Sequence, residues 1–277
     1  MKISSRKLFY ILPPAWRFAV RRLYYLPLDT WETLTGKRDE LMPPRGLIFT
    51  GGGDFRKTGE KLCGYFREFC SLQPQHHVLD VGSGIGRVAI PLTKFLNKNG
   101  RYDGFDVVQR GVDWCKENIT ARHPNFRFRY VPVDNDLYRA GGNSAAGFHF
   151  PYDENRFDLA VVNSVFTHML PEEVDNYLGE IKRVLKPGGV CYTTFFIFKK
   201  NGDPFPEGFD FPFNYGHYCL MDDEVKSANV AFEENYLKND LVEKHGFRLR
   251  HFFPGSWRGL PKAQCKEFQD IVILEKS

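Results

Sequence analysis

Apolar and polar residues change period several times between residues 56 and 276, and each change marks an element. In "RKTGEKLCGYFREFCSL" (56–72), Leu62, Tyr65, Phe66 and Phe69 recur at helical spacing and predict an amphipathic helix. From residue 76 short apolar runs alternate with helical stretches. "HVLDVG", "RYDGFDVV", "NFRFRYVPV" and "RFDLAVVNSVF" read as strands. "GRVAIPLTKFL" and "QRGVDWCKENITAR" read as helices, with Pro91 marking a start or kink in the first. "PEEVDNYLGEIKRVLKPGG" opens on Pro171 and acids and closes on bases and glycines, a well-signalled helix. "GVCYTTFFIF" is a strand, "VAFEENYLKNDLVEKHGF" a helix ending near Gly246, and "RLRHFFPG" and "FQDIVILEK" are the last two strands.

Strands alternating with helices predict a three-layer α/β fold, an open and mostly parallel sheet covered on both faces. Only "SWRGLPKAQCKE" joins the final two strands. So short a link suits an antiparallel pair, and the last strand is expected to run against the others. Residues 1–50, broken by Pro27, Pro43 and Pro44, read as a helical N-terminal arm. Residues 51–277 read as the main domain, with 199–230 inserted after the fifth strand as a cover for a substrate.

Composition narrows the classes. The net charge of +4 is mild, and Lys2, Arg6, Lys7, Arg17, Arg21 and Arg22 all precede the first acid, Asp29. No dense basic stripe suggests a nucleic-acid substrate. Six scattered cysteines without a CxxC pair argue against a zinc site or disulfide framework and fit a reducing cytoplasm. The arm segment "KLFYILPPAWRFAVRRLYYLPL" is too interrupted to span a bilayer. It suits packing on its own domain or on a second subunit, or rest on a membrane surface or acidic partner. The 26 phenylalanines either fill a core or line an apolar pocket.

Chemistry concentrates in "HHVLDVGSGIGRVAIPL" (76–92). Glycines at 82, 84 and 86 permit positive φ and close approach of a ligand to a helix N-terminus. A dinucleotide pyrophosphate or a nucleoside such as S-adenosylmethionine would fit. The dinucleotide fingerprint needs its third glycine one position later. Asp80 would repel a pyrophosphate but attract a cationic amino-acid head group. Asp106, at the next strand end, can accept both hydroxyls of a ribose, and Asp134, after the third strand, suits an adenine amino group.

This constellation resembles the class I S-adenosylmethionine-dependent methyltransferases over about residues 50–277. "LDVGSGIGR" matches their first motif, "GFDVV" their ribose-binding acid and "PVDND" their adenine-proximal acid. "FDLAVVNSVFTHM" and "IKRVLKPGGV" match their fourth strand and the helix and turn beyond it. The resemblance implies seven strands with the last antiparallel. It also implies that Asp80, Gly82, Ser83 and Gly84 surround the methionine portion, with Gly86 at the helix entrance. Asp106 would hold the ribose, Val107 pack on adenine, and Asp134 with Asn135 face its edge. Asn163 and Ser164 would border the methionine near the reacting methyl.

In-line methyl transfer needs a positioned nucleophile and, for a hydroxyl, a base. His168, four residues past Ser164, is the first candidate base and His217 the second. Tyr215 and Tyr218 are candidates to line the acceptor site, and Phe55 in "GGGDF" to act as a lid. An Asp/Asn-Pro-Pro-Tyr/Phe motif for planar amines is replaced by "NSVF", and no clustered carboxylates suggest a metal. These readings favour O-methylation of a hydroxyl or carboxylate on a small molecule, lipid or glycan. "GGGDF" and "GSW…FQDIVI" are similar to bacterial methyltransferases of glycan and secondary-metabolite pathways. Two other classes stay open: an NAD-dependent oxidoreductase and a cofactor-binding interaction protein without catalysis.

Overall fold

The computed structural model describes residues 14–49, 51–134, 142, 144–200, 202, 205–206 and 208–277. Helix α1 (Pro14–Leu34) forms the arm and α2 (Phe55–Phe69) opens the domain. Then come β1 (His77–Val81), α3 (Ala89–Thr93), β2 (Arg101–Asp106), α4 (Gln109–Cys115), β3 (Phe126–Tyr130), β4 (Phe157–Val162), α5 (Pro171–Val184) and β5 (Leu185–Phe198). A small hairpin, β6 (Phe213–Asn214) and β7 (Tyr218–Leu220), precedes β8 (Val230–Glu233). A wide-turned helical segment (Tyr236–Glu243), β9 (Phe247–Phe253) and β10 (Asp270–Lys276) complete the chain.

β3, β2, β1, β4 and β5 lie side by side in that order, all parallel. β10 runs antiparallel along residues 190–195 of β5 and carries β9 on its other edge. The expected antiparallel last strand is therefore present, lodged inside the sheet. These seven strands match the expected core. Beyond β10 the tip of β5 (Phe196–Phe198) pairs with β8, extending the sheet by β8, β7 and β6.

The strands are nearly continuous in apolar residues because both faces are covered. Successive residues serve opposite layers: Val78, Leu159 and Val161 join the core under α2, α3 and α4, whereas Leu79, Ala160 and Val162 join the core under α5. Most of the phenylalanine surplus fills these cores. A third cluster holds Phe196, Phe211 and Trp257 together beside the inserted segment.

One element departs from expectation. The stretch 230–247 does not begin as a helix. Val230, Ala231 and Phe232 are buried between β5 and β7, where β-branched and aromatic side chains pack well, and the helical turn starts only afterwards.

Candidate functional site

A cavity of about 280 Å³ opens at the carboxyl ends of β1, β2 and β4, close to the lower limit of about 300–1,000 Å³ typical of ligand pockets. In open α/β sheets this is the edge where ligands bind. Asp80 and Asp106 enter it from β1 and β2, and both are buried.

Burial pushes the Asp80 carboxyl from 3.8 up to about 7, with the nearby Asp106 adding to the rise and a hydrogen bond from the Tyr102 hydroxyl opposing it. Burial likewise pushes Asp106 to about 6, against the backbone N–H groups of Val108 (2.8 Å) and Gly84 (2.7 Å) that donate to it. Neither carboxylate has an ion-pair partner among the described residues. Two desolvated acids without a countercharge are suited to a cationic ligand. Beside them the Ser83 hydroxyl oxygen is buried with no hydrogen-bond partner, which also fits a polar ligand in the loop. The donor set thus suits the amino-acid and ribose ends of S-adenosylmethionine.

Protein packing adds a second reason for the glycines beside the close ligand approach expected from the sequence. Gly82, Gly84 and Gly86 all have positive φ (76°, 58° and 83°). A Cβ on Gly82 would stand 2.5 Å from Val165 Cγ2, and one on Gly86 would stand 2.7 Å from Ile119 Cδ1. At these two positions backbone conformation and protein packing by themselves exclude a side chain. Gly82 and Gly84 still line the cavity; Gly86 does not.

Of the other sequence candidates, Val107, Asp134, Asn163, Ser164 and His168 line the cavity. The Asp134 carboxylate also accepts from the Gly142 N–H, so part of its capacity is used within its own turn. Asn135 lies outside the described residues. Ser164, at φ 58°, is held by its N–H to Thr194 Oγ1 (2.8 Å) and its hydroxyl to Gln269 Oε1 (2.8 Å). His168 donates Nδ1–H to the Ser227 carbonyl (2.8 Å), since a carbonyl can only accept. Burial lowers the His168 pKa, partly offset by the carbonyls of Ser227 and Ala228. The ring is neutral near pH 7, with Nε2 as its accepting nitrogen.

Besides Gly86, four candidates lie away from the cavity lining. Phe55 is buried as the first residue of α2, under the Arg87 guanidinium, so it is a core residue rather than a lid. "GGGDF" does reach the cavity, but through Gly51, while Asp54 caps α2 by accepting from the Lys57 N–H (3.0 Å). Tyr215 stacks on Tyr218 (5.0 Å between centroids) and His217 on Tyr236 (4.4 Å), which keeps all three hairpin residues engaged outside the cavity. The inserted segment instead reaches the site through Ser227, which orients His168.

Sequence reasoning missed Phe49, Glu173, Tyr177 and Gln269, which also line the cavity. Glu173 has a local signal: as the third residue of α5 it accepts from the Leu170 N–H (2.7 Å) in a capping arrangement. Burial raises the Tyr177 hydroxyl well above its ordinary value, with Glu173 and Asp106 contributing. Phe49 and Gln269 carry no signal at all, being brought in from the arm and from the loop before β10.

Residues 79–193 match the family described as "Methyltransferase domain". Over 173 residues, 62% of this chain and 60% of the relative, the sequence is 26% identical to a ubiquinone/menaquinone biosynthesis C-methyltransferase of Wigglesworthia glossinidia brevipalpis. Over 201 residues, 71% of this chain and 48% of the relative, it is 23% identical to a tRNA N(3)-cytidine methyltransferase of Danio rerio. The chain spans less than two thirds of the length of these curated relatives. Its fold is shared with the 1,6-didemethyltoxoflavin-N1-methyltransferase of Burkholderia thailandensis, solved with 1,6-didemethyltoxoflavin and S-adenosylhomocysteine. That likeness has a TM-score of 0.51 at 17% identity, covering 96% of this chain and 91% of the other.

Residues 79–193 thus resemble a methyltransferase domain, and the chain has the Rossmann-like α/β fold of the Burkholderia enzyme. The buried acids of the site fit the cationic end of S-adenosylmethionine better than a pyrophosphate, which they would repel.

Proposed function

We propose that the protein methylates an oxygen, a hydroxyl or carboxylate, on a small molecule or glycan. The observation that carries this reading is His168. Its Nδ1–H is committed to Ser227, it lines the cavity, and burial keeps it neutral, so Nε2 is left to take a proton from an acceptor hydroxyl. When bound, S-adenosylmethionine supplies a methyl group already activated on a sulfonium. Asp80 would face its amino group, Asp106 its ribose and Asp134 its adenine, while Asn163 and Ser164 border the reacting end. A carboxylate acceptor needs no base, and for it His168 only orients the oxygen.

The relatives include enzymes named for carbon and for nitrogen acceptors. Against a nitrogen acceptor stands "NSVF" where a planar amine would need its two prolines. Against a tRNA acceptor stands the mild net charge of +4.

The test is release of S-adenosylhomocysteine over a panel of hydroxylated and carboxylated small molecules and glycans, with His168→Ala then assayed on any acceptor found. For a hydroxyl acceptor, kcat should fall about 100-fold, within the range for loss of a general base. S-adenosylhomocysteine affinity should stay within about twofold of wild type, because the carboxylates are untouched. Wild-type kcat in His168→Ala would remove the base assignment, and turnover confined to amine or carbon acceptors would remove the O-methylation reading.

A further inference from the structure

Helix α1 presents two opposite faces, and only one has a partner among the described residues. On the inner face, Phe18 packs edge-on against Phe49 (5.7 Å) and lies under Arg110 (4.2 Å). Asp29 accepts from the N–H groups of Arg45 (2.7 Å) and Gly46 (2.9 Å), and Glu32 pairs with the guanidinium of Arg45 (2.9 Å). These ties anchor the arm to the loop in front of the domain.

The outer face is apolar. Trp16, Val20, Leu23, Pro27, Trp31 and Leu34 succeed one another at steps of three and four, a continuous stripe on one side of the helix. The stripe is open: Trp16 is 64% exposed, Leu23 69% and Leu34 82%. Isolated exposed apolar residues need no explanation, but a stripe along about 27 Å of helix does.

Charge identifies what covers it. The only acids of α1, Asp29 and Glu32, are turned inward and neutralised, so the exposed side has none. Arg17 and Arg21 flank the stripe on one side, and Lys37 sits over the Trp31 ring (4.3 Å). A second copy pairing through the stripe would meet these cations with the same cations or with an acid-free helix end, so it offers no countercharge. Anionic lipid headgroups do. Tryptophans near both ends of the stripe are the side chains that favour the headgroup boundary of a bilayer. No described helix is long and apolar enough to cross a membrane.

We infer that α1 lies in the plane of an anionic lipid surface, with the apolar stripe in the headgroup–acyl boundary and the arginines among the phosphates. The assignment is independent of which acceptor is methylated.

The full chain should co-sediment with vesicles of phosphatidylcholine mixed with phosphatidylglycerol, and bind far more weakly to phosphatidylcholine alone. Salt should reduce binding. Lys37→Glu reverses one charge beside the stripe and should weaken it about tenfold or more. The double variant Leu23→Ser, Trp31→Ser should abolish it. All variants should keep the wild-type melting temperature and S-adenosylhomocysteine affinity, because the altered side chains are exposed. Absence of wild-type binding, equal binding to neutral and anionic vesicles, or no response to the stripe substitutions would each overturn the assignment. So would a self-association that the stripe substitutions disrupt, since the covering surface would then be a second copy.

Discussion

The two walls of the cavity draw their contacts from different distances along the chain. On the wall formed by β1 and β2, Asp80 is held by the Tyr102 hydroxyl and Asp106 by backbone. Asp106 accepts from the N–H groups of Gly84 and Val108, and the Gly82 and Ser83 N–H groups donate to the Phe105 carbonyl (2.9 and 3.0 Å). The contacts of this wall, Gly84 to Asp106 and Tyr102 to Asp80, each span 22 residues. The facing wall is assembled from remote pieces. His168 is oriented by Ser227 and Ser164 by Gln269, the latter contact spanning 105 residues. A wall built from two adjacent strand ends suits a ligand that does not vary, and a wall assembled from distant segments can change its acceptor by substitution without disturbing the cofactor. The comparison therefore predicts that damage to the first wall shows in binding and damage to the second in turnover.

Asp106→Ala should show this most strongly. It removes the acceptor of two buried N–H groups, each costing about 1–3 kcal/mol when left unpaired, and the proposed acceptor of the ribose hydroxyls. Calorimetric titration with S-adenosylhomocysteine should show affinity lower by at least about 100-fold. An affinity within a few-fold of wild type would detach the cofactor from this wall altogether, and the contrast with His168→Ala would collapse.

Gly82→Ala probes the point where the walls touch. The added Cβ would collide with Val165 Cγ2, on the loop that leads to His168, and would need a positive φ of 76°. Overpacking and backbone strain together should cost about 2 kcal/mol of stability, measured by denaturant unfolding. Adding Val165→Ala should recover the packing part and leave the backbone part. If Gly82→Ala instead keeps full stability and loses only cofactor affinity, the glycine is there for the ligand, as the sequence alone suggested.

The same contrast explains what the sequence made legible. Asp80, Asp106 and the three glycines sit at fixed offsets from strands whose apolar runs are plain, so alternation and spacing locate them. The seven strands and the reversed last one are likewise accessible from element order and one short connection. Gln269 and Phe49 depend on how distant segments dock, which no local periodicity encodes. Tyr215, His217 and Tyr218 attract attention because aromatics in an insertion resemble a cover. In the fold they stack among themselves and on Tyr236, while the insertion touches the site through a serine carbonyl, a group every residue possesses. Val230–Phe232 read as helical in sequence because the strand they join, at the tip of β5, exists only after the sheet has formed.

Acidity separates the walls without any mutation. Asp80 and Asp106, at about 7 and about 6, are raised by burial, whereas burial lowers His168. For the ligand-free fold, raised carboxyls give stability that is present below their unfolded pKa near 4 and is lost as pH rises through 6 to 7. A cationic cofactor favours the ionised forms, so its binding expels protons below pH 7 and its affinity falls as pH falls. For one proton with a free-state pKa of about 7, the loss between pH 8 and pH 6 is about tenfold, and Asp106 adds to it. Burial lowers the His168 pKa, so kcat at saturating cofactor should change less over that window than the cofactor Kd. A Kd that is flat from pH 8 to 6 alongside a falling kcat would reverse the assignment, placing the titrating group on the His168 wall and leaving Asp80 and Asp106 ionised before the cofactor arrives.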